Sequence, residues 1–118
     1  MPSLRIEPEK LAGRIFIQPS KSMAHRLIIC ALLAQGTSQI DNVVLSDDLK
    51  ATLGACEALG ARIRIEDSSA FINRKRVIIT SSGETRVVHP VIDCIESGTT
   101  ARFIMPISRL CEDPVTLT

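Results

Sequence analysis

The sequence predicts an α/β fold, and three observations predict it. Arg62-Ile63-Arg64-Ile65-Glu66 alternates charged and apolar residues, the period-two pattern of a half-buried strand. Two apolar stretches each follow a serine and stop near a glycine, Ser20 to Gly36 and Ser46 to Gly60, which is how helices begin and end. Further short apolar runs are set off by Pro, Gly and Ser. From Gly13 the predicted order is strand, helix, strand, helix, strand, strand, then another helix and strand: a βαβαββ unit and the start of the next.

Ser3-Leu4-Arg5-Ile6-Glu7 alternates and reads as a strand, broken by Pro8 to Ala12. Arg14-Ile15-Phe16-Ile17 reads as a second. Pro19-Ser20 punctuates the chain, and a helix is predicted from about Lys21 to Ala34 with Ser20 as its N-cap. Thr37 to Val44 follows as a strand. Ser46-Asp47-Asp48 opens a second helix that runs to about Leu59, its two acids complementing the positive end of the helix dipole. After the Arg62–Glu66 strand comes another over Lys75–Thr80 and a turn at Ser81-Ser82-Gly83. A third helix is predicted from near Ser97-Gly98 to about Leu110. Within it, Pro106 denies a hydrogen bond to the Arg102 carbonyl and should kink or reset the helix. Val115 to Thr118 starts a strand, and its abrupt end reads as a truncation inside an element.

Composition narrows the function. At 118 residues and 45% hydrophobic, the chain fits one domain with a real core. A formal net charge of +1 gives no basic surplus for a polyanion, and 3% aromatics without Trp or Tyr leave few stacking platforms, so no nucleic-acid partner is expected. The apolar run Leu27–Ala34 is far too short to span a bilayer, so no membrane partner is expected either. No signal peptide is visible after Met1. Cys30, Cys56, Cys94 and Cys111 form no C-x-x-C pair, which argues against zinc. They read as buried free thiols in a reducing cytoplasm.

The first helix places its polarity oddly. Lys21, Ser22, His25 and Arg26 crowd its first two turns, and from Leu27 onward it is apolar on every face, the pattern of a helix buried between layers. Free backbone N–H groups and the dipole make a helix start favourable for an anion. Cations there oppose the dipole, so something anionic is expected to complete the site; the alternative is a solvated helix end with chance basic residues. Ser22 and Arg26 are four apart and share a face, and Arg holds phosphate or carboxylate by a two-pronged contact. His25 reads as a partly buried or capping residue. A second candidate is Glu96-Ser97-Gly98-Thr99-Thr100-Ala101-Arg102, where Gly98 lets backbone N–H groups approach a ligand, although Ser97 as a simple N-cap explains the same pattern. Asp47 and Asp48 are explained by capping, and Arg74-Lys75-Arg76 reads as a solvated turn entering a strand.

Together these residues resemble the 5-enolpyruvylshikimate-3-phosphate synthases (3-phosphoshikimate 1-carboxyvinyltransferases). The likeness rests on Pro19-Ser20-Lys21-Ser22 with Arg26, Ala34-Gln35-Gly36-Thr37, Asn42 with Ser46-Asp47-Asp48, Ala58-Leu59-Gly60-Ala61, and Ser97-Gly98-Thr99-Thr100 with Arg102. The resemblance implies transfer of the enolpyruvyl group of phosphoenolpyruvate to the 5-hydroxyl of shikimate 3-phosphate, a step of aromatic amino-acid biosynthesis. It implies a catalytic Lys21 touching both substrates, Ser22 and Arg26 on shikimate 3-phosphate, and the Gly98 backbone on phosphoenolpyruvate, with Arg102 and Asp48 nearby. No metal or organic cofactor is implied. Two departures stand out: Pro19 where Gly is common, and Glu96 where Asn is frequent, so that an ionised Glu96 is expected to pair with a nearby Lys or Arg.

The resemblance also implies an architecture. The family chain is much longer, with two similar inverted α/β barrel-like domains, each of three βαβαββ units. This chain corresponds to the N-terminal part of the first domain, and residues 1–12 are expected to pack with the second. The missing C-terminal portion of the same enzyme would be its partner, and the chain alone is expected not to turn over. Two other readings remain at this level: a small-anion, phosphosugar-like binding module, and a relative of the UDP-N-acetylglucosamine enolpyruvyl transferases, which lack the Lys-Ser-x-x-x-Arg arrangement. A non-binding structural fragment is a third.

Overall fold

A computed structural model describes residues 1–118. The elements are α1 (Lys21–Leu33), β1 (Gln35–Val43), α2 (Asp47–Ala58), β2 (Arg62–Asp67), β3 (Lys75–Ser82), β4 (Val91–Ile92), α3 (Gly98–Ser108) and β5 (Thr116–Leu117). The mixed α/β class holds, as three helices and two small sheets.

The main sheet has the order β1-β3-β2, with β3 antiparallel to both neighbours. β1 and β2 therefore run parallel to each other, joined by α2 across the intervening strand, a split βαβ arrangement. Val77, Ile79 and Ser81 of β3 are buried on the face that carries the helices, as period-two alternation requires. α1 lies against β1 and β3, α2 against α1 and β2, and α3 against α2. The shared core includes Ile28 and Leu32 of α1, Leu49, Leu53 and Cys56 of α2, Val77 and Ile79 of β3, and Ile104 of α3.

Local chemistry fixes the helix ends. Ser20, Ser46 and Ser97 are the N-caps, their hydroxyls accepting from the N–H groups of Met23, Leu49 and Thr100; each such cap stabilises by about 1 kcal/mol. α2 ends at Gly60, whose φ of 106° suits only glycine: Ala61 N–H donates to the Cys56 carbonyl and Gly60 N–H to the Glu57 carbonyl, the paired bonds of a Schellman stop. The Arg86 and Val88 N–H groups then satisfy the Leu59 and Ala58 carbonyls, which leads the chain past α2 toward β4. At the end of α1 the Ser81 hydroxyl donates to the Leu32 carbonyl at 2.6 Å.

Several expectations are corrected. Ser3–Glu7 and Arg14–Ile17 are not strands; nothing before Lys21 is regular. Alternation makes a strand only when a neighbour supplies ladder hydrogen bonds, and here Leu4, Ile6, Ile15, Phe16 and Ile17 stand exposed. The βαβαββ unit accordingly lacks its first strand. α1 is not buried all round: His25, Ile28, Ile29, Ala31 and Leu32 face inward, while Leu27, Cys30 and Leu33 are exposed because helices and sheet cover one side only. Of the four free thiols, Cys56 and Cys94 are buried, Cys111 is half-buried and Cys30 is exposed; burial pushes the Cys56 thiol up to about 12. α3 ends at Ser108, two residues past Pro106. β4 is new, a two-residue strand paired in parallel with β5.

Arg76 is also more than a solvated turn residue. Its guanidinium donates to Asp41 at 2.8 Å and to the Ser69 hydroxyl at 3.0 Å, and it lies 3.6 Å from Glu66. Asp41 sits at the bulge of β1, where Asn42 takes a left-handed φ of 57°. Hydrogen bonds from Ser68, Arg76 and the Asn42 N–H hold the Asp41 carboxyl down at about 2. No helix is long and apolar enough to cross a membrane.

Candidate functional site

The starts of all three helices converge. Lys21, the first residue of α1, reaches Asp48 in the first turn of α2, Nζ to Oδ2, at 3.2 Å. Both side chains are well exposed, so the pair orients Lys21 more than it stabilises the fold. The Arg26 guanidinium donates to the Ser22 carbonyl at 3.2 Å and stands 5.9 Å from the ring centroid of Phe103, which joins α1 to α3. The Thr100 hydroxyl lies within hydrogen-bond reach of the Asp48 carbonyl, at 3.3 Å, which joins α3 to α2.

Each residue singled out in the sequence has a definite place. Lys21, Ser22 and Arg26 are all exposed on the first two turns of α1. Ser22 and Arg26 share a face, as their spacing requires. Gly98 is the first residue of α3, also exposed. A Cβ added to Gly98 would meet nothing within 4 Å, so the chain itself does not require glycine there. Gly98→Ala is therefore expected to leave stability unchanged or raise it by up to about 1 kcal/mol, through a less flexible unfolded chain; a urea titration checks this. Just before it, Ile95 adopts a left-handed φ of 53°, an unfavourable setting for a β-branched side chain. The Asp93 carboxylate accepts from the Ile95 N–H at 2.7 Å and the Cys94 carbonyl from the Ser97 N–H at 2.8 Å, a tight turn that aims the start of α3. Glu96 is exposed and forms no ion pair, so the expected Lys or Arg partner is absent.

Beneath this surface lies a buried polar chain that sequence reasoning missed. His25 Nδ1 is 2.7 Å from Thr52 Oγ1, Thr52 Oγ1 is 2.7 Å from Thr100 Oγ1, and Thr100 Oγ1 donates to Ser97 Oγ at 2.8 Å. His25 is only 2% exposed and is more fully buried than its sequence context implies. Burial lowers its pKa, Asp48 raises it and Lys21 lowers it, with burial dominant, so the ring is neutral at pH 7. Its Nε2 is buried without a partner. The only sequence signal for this chain was the polarity of Thr52 inside the otherwise apolar face of α2. Phe103, the platform under Arg26, was equally silent.

Electrostatically the surface is mixed. Three positive dipole ends meet Lys21, Arg26 and Arg102, and Asp47 and Asp48 offset them. A separate cleft lies elsewhere, lined by residues including Arg62, Thr80, Arg86 and Glu112, and contains none of Lys21, Ser22, Arg26 and Gly98. The candidate site is thus a convergence of helix starts carrying a guanidinium, an ammonium, a hydroxyl and an unobstructed glycine amide. Such a set holds anions.

Comparison with known proteins decides the family. The model of EPSP synthase (3-phosphoshikimate 1-carboxyvinyltransferase) matches residues 6–118. The chain belongs to the EPSP synthase family. Among family members, the 3-phosphoshikimate 1-carboxyvinyltransferase of Clostridium perfringens (strain SM101 / Type A) is 44% identical over 115 residues, which is 98% of this chain and 26% of that enzyme. The enzyme of the same name from Clostridioides difficile (strain 630) is 44% identical over 111 residues, 92% of this chain and 25% of that one. That of Clostridium novyi (strain NT) is 41% identical over 122 residues, all of this chain and 28% of the relative. The chain thus spans about a quarter of the length of the EPSP synthases it matches. The resemblance read from the motifs is confirmed at the level of family, and the UDP-N-acetylglucosamine alternative is not favoured.

Proposed function

We propose that this chain forms the part of an enolpyruvyl transferase that grips shikimate 3-phosphate and phosphoenolpyruvate. In the reaction, the 5-hydroxyl of shikimate 3-phosphate gives up its proton as its oxygen adds to C2 of phosphoenolpyruvate, and C3 takes a proton. The tetrahedral intermediate then loses phosphate from C2 and a proton from C3, giving the enol ether. The observation that carries the reading is the convergence of the α1 and α3 starts, with Lys21, Ser22, Arg26 and Gly98 all exposed on it.

Ser22 and Arg26 bind the shikimate 3-phosphate, Arg26 as a two-pronged donor and Ser22 through its hydroxyl. The Gly98 N–H, at the positive end of α3, meets phosphoenolpyruvate. Lys21 is the catalytic residue of the set, an ammonium between two anions. Two unit charges 5 Å apart repel by about 3 kcal/mol at an effective dielectric constant of 20, so a fixed cation between them lowers the cost of bringing the substrates together. Asp48, which holds Lys21 in the free chain, releases or shares it when an anion arrives. In the longer family architecture the chain belongs to a barrel-like domain, and residues 1–12, with Leu4, Ile6 and Leu11 exposed, pack against a second one.

The test is titration of the 118-residue chain with shikimate 3-phosphate, followed residue by residue by NMR. Saturable shifts at Lys21, Ser22 and Arg26 are expected, with Gly98 responding to phosphoenolpyruvate and Gly98→Ala suppressing that response. Shifts confined to Arg62 and Arg86 would move the binding surface to the other cleft, and no shift at millimolar ligand would overturn the reading. No phosphate release is expected when both substrates are added; turnover would show that the chain carries chemistry as well as grip.

A further inference from the structure

Three helix starts meet here with their positive ends together and two cations on one of them, so dipoles and charges push them apart. Apolar packing opposes this without setting a register, because the hydrophobic effect is non-directional, and the Lys21–Asp48 pair and the Arg26–Phe103 contact that also link these helices are exposed and weak. The directional tie is the buried chain His25–Thr52–Thr100–Ser97. Its first three members come from α1, α2 and α3 in turn, and its links are 2.7, 2.7 and 2.8 Å long. His25, Thr52 and Thr100 are 2%, 0% and 0% exposed, so none of them can touch a ligand on the surface above.

The chain is also ordered along its length. Each hydroxyl donates once, so the His25 tautomer sets the direction of every proton after it. With the proton on Nδ1, His25 donates to Thr52, Thr52 to Thr100, and Thr100 to Ser97 or to the Asp48 carbonyl. Ser97 already accepts from the Thr100 N–H as the N-cap of α3. The residue before Gly98 is therefore tied, link by link, to the residue before Arg26.

We infer that His25, Thr52 and Thr100 are positioning residues: their buried hydrogen-bonded chain fixes the start of α1 against the start of α3, and so sets the distance between the Ser22–Arg26 grip and the Gly98 amide. The inference rests on the shikimate 3-phosphate and phosphoenolpyruvate reading for what that distance serves. It deepens that reading by assigning the specificity for a pair of anions at fixed spacing to side chains that contact neither.

Thr52→Val keeps the shape and removes the hydroxyl, and Thr52→Ser keeps the hydroxyl. In the 118-residue chain, residual dipolar couplings of the α1 and α3 amides are expected to report a changed interhelical orientation in Thr52→Val. Its dissociation constant for phosphoenolpyruvate in the presence of saturating shikimate 3-phosphate is expected to rise about tenfold, the worth of one buried hydrogen bond, and Thr52→Ser is expected to restore both. Thr100→Val, which cuts the chain one link later, should repeat the result if Thr52→Val does not fold. In the wild type, imidazole 15N shifts should place His25 in a single neutral tautomer; a tautomer mixture would overturn the ordered chain. Unchanged helix orientation in the folded variants would overturn the inference. So would a changed orientation with unchanged affinity, while leaving the grip itself in place. A wild-type chain that binds no shikimate 3-phosphate would remove the grip reading and this inference with it.

Discussion

Arg26→Ala is expected to weaken binding of shikimate 3-phosphate by about ten- to a hundredfold, the loss of one charge-assisted contact, while the chain stays folded. Arg26 is exposed, and its ties are a hydrogen bond to the Ser22 carbonyl and the Phe103 ring. An exposed cation–π contact is worth only about 0.5–1 kcal/mol, so most of the effect falls on the ligand. Those two ties matter in another way, because a guanidinium already held in place loses less side-chain freedom when the anion arrives. Arg26→Lys keeps the charge but not the planar fork, and an intermediate affinity is expected. Rising salt should narrow the gap between wild type and Arg26→Ala, because part of the attraction is screened. Calorimetric titration at two ionic strengths measures all three. Equal affinities for wild type and Arg26→Ala would take Arg26 out of the grip.

The fold was legible where a pattern carries its own cause. Arg62–Glu66 alternates and forms β2, with Ile63 half-buried although Ile65 stays exposed, and Ser46 and Gly60 at the flanks of α2 cap its two ends. It was illegible where the cause lies in a partner. Arg14-Ile15-Phe16-Ile17 has strand composition, yet no strand of this chain supplies its ladder bonds. The apolar run of α1 says nothing about how many faces are covered, so Leu27 and Leu33 lie exposed against expectation. β4 is two residues long, too short for any period to register.

The site divides along the same line. Cations at a helix start are anomalous against the dipole, and that anomaly is readable one residue at a time at Lys21 and Arg26. Gly98 was readable only through its neighbours. The buried tie could not be read: His25, Thr52 and Thr100 are separated by 27 and 48 positions and are brought together by the packing of three helices. Arg76 failed in the opposite sense, because a run of three basic residues looks solvated until Asp41 is found across the sheet.

Ile79→Ala is expected to cost about 2–5 kcal/mol, the range for truncating a fully buried aliphatic side chain and leaving a cavity. Ile79 is 0% exposed in the central strand, paired with Ser38 on one side and Ile63 on the other, with α1 lying over β3. Only 26 of 118 residues are buried, so few other contacts can absorb the loss, and small domains hold only about 5–15 kcal/mol in all. Ile78, its neighbour, is nearly as buried but points to the opposite face, between Gln39 and Arg64 and outside the main core. Ile78→Ala should therefore cost clearly less. Urea unfolding separates the two: the midpoint should fall much further for Ile79→Ala with the slope unchanged. Equal losses would mean that the sheet has two working cores, with helices covering only one. The comparison also bears on the grip, because α1 rests on β3. Ile79→Ala should lose anion binding together with the fold, whereas Arg26→Ala should lose it alone, and that difference separates a residue that holds the site up from one that holds the ligand.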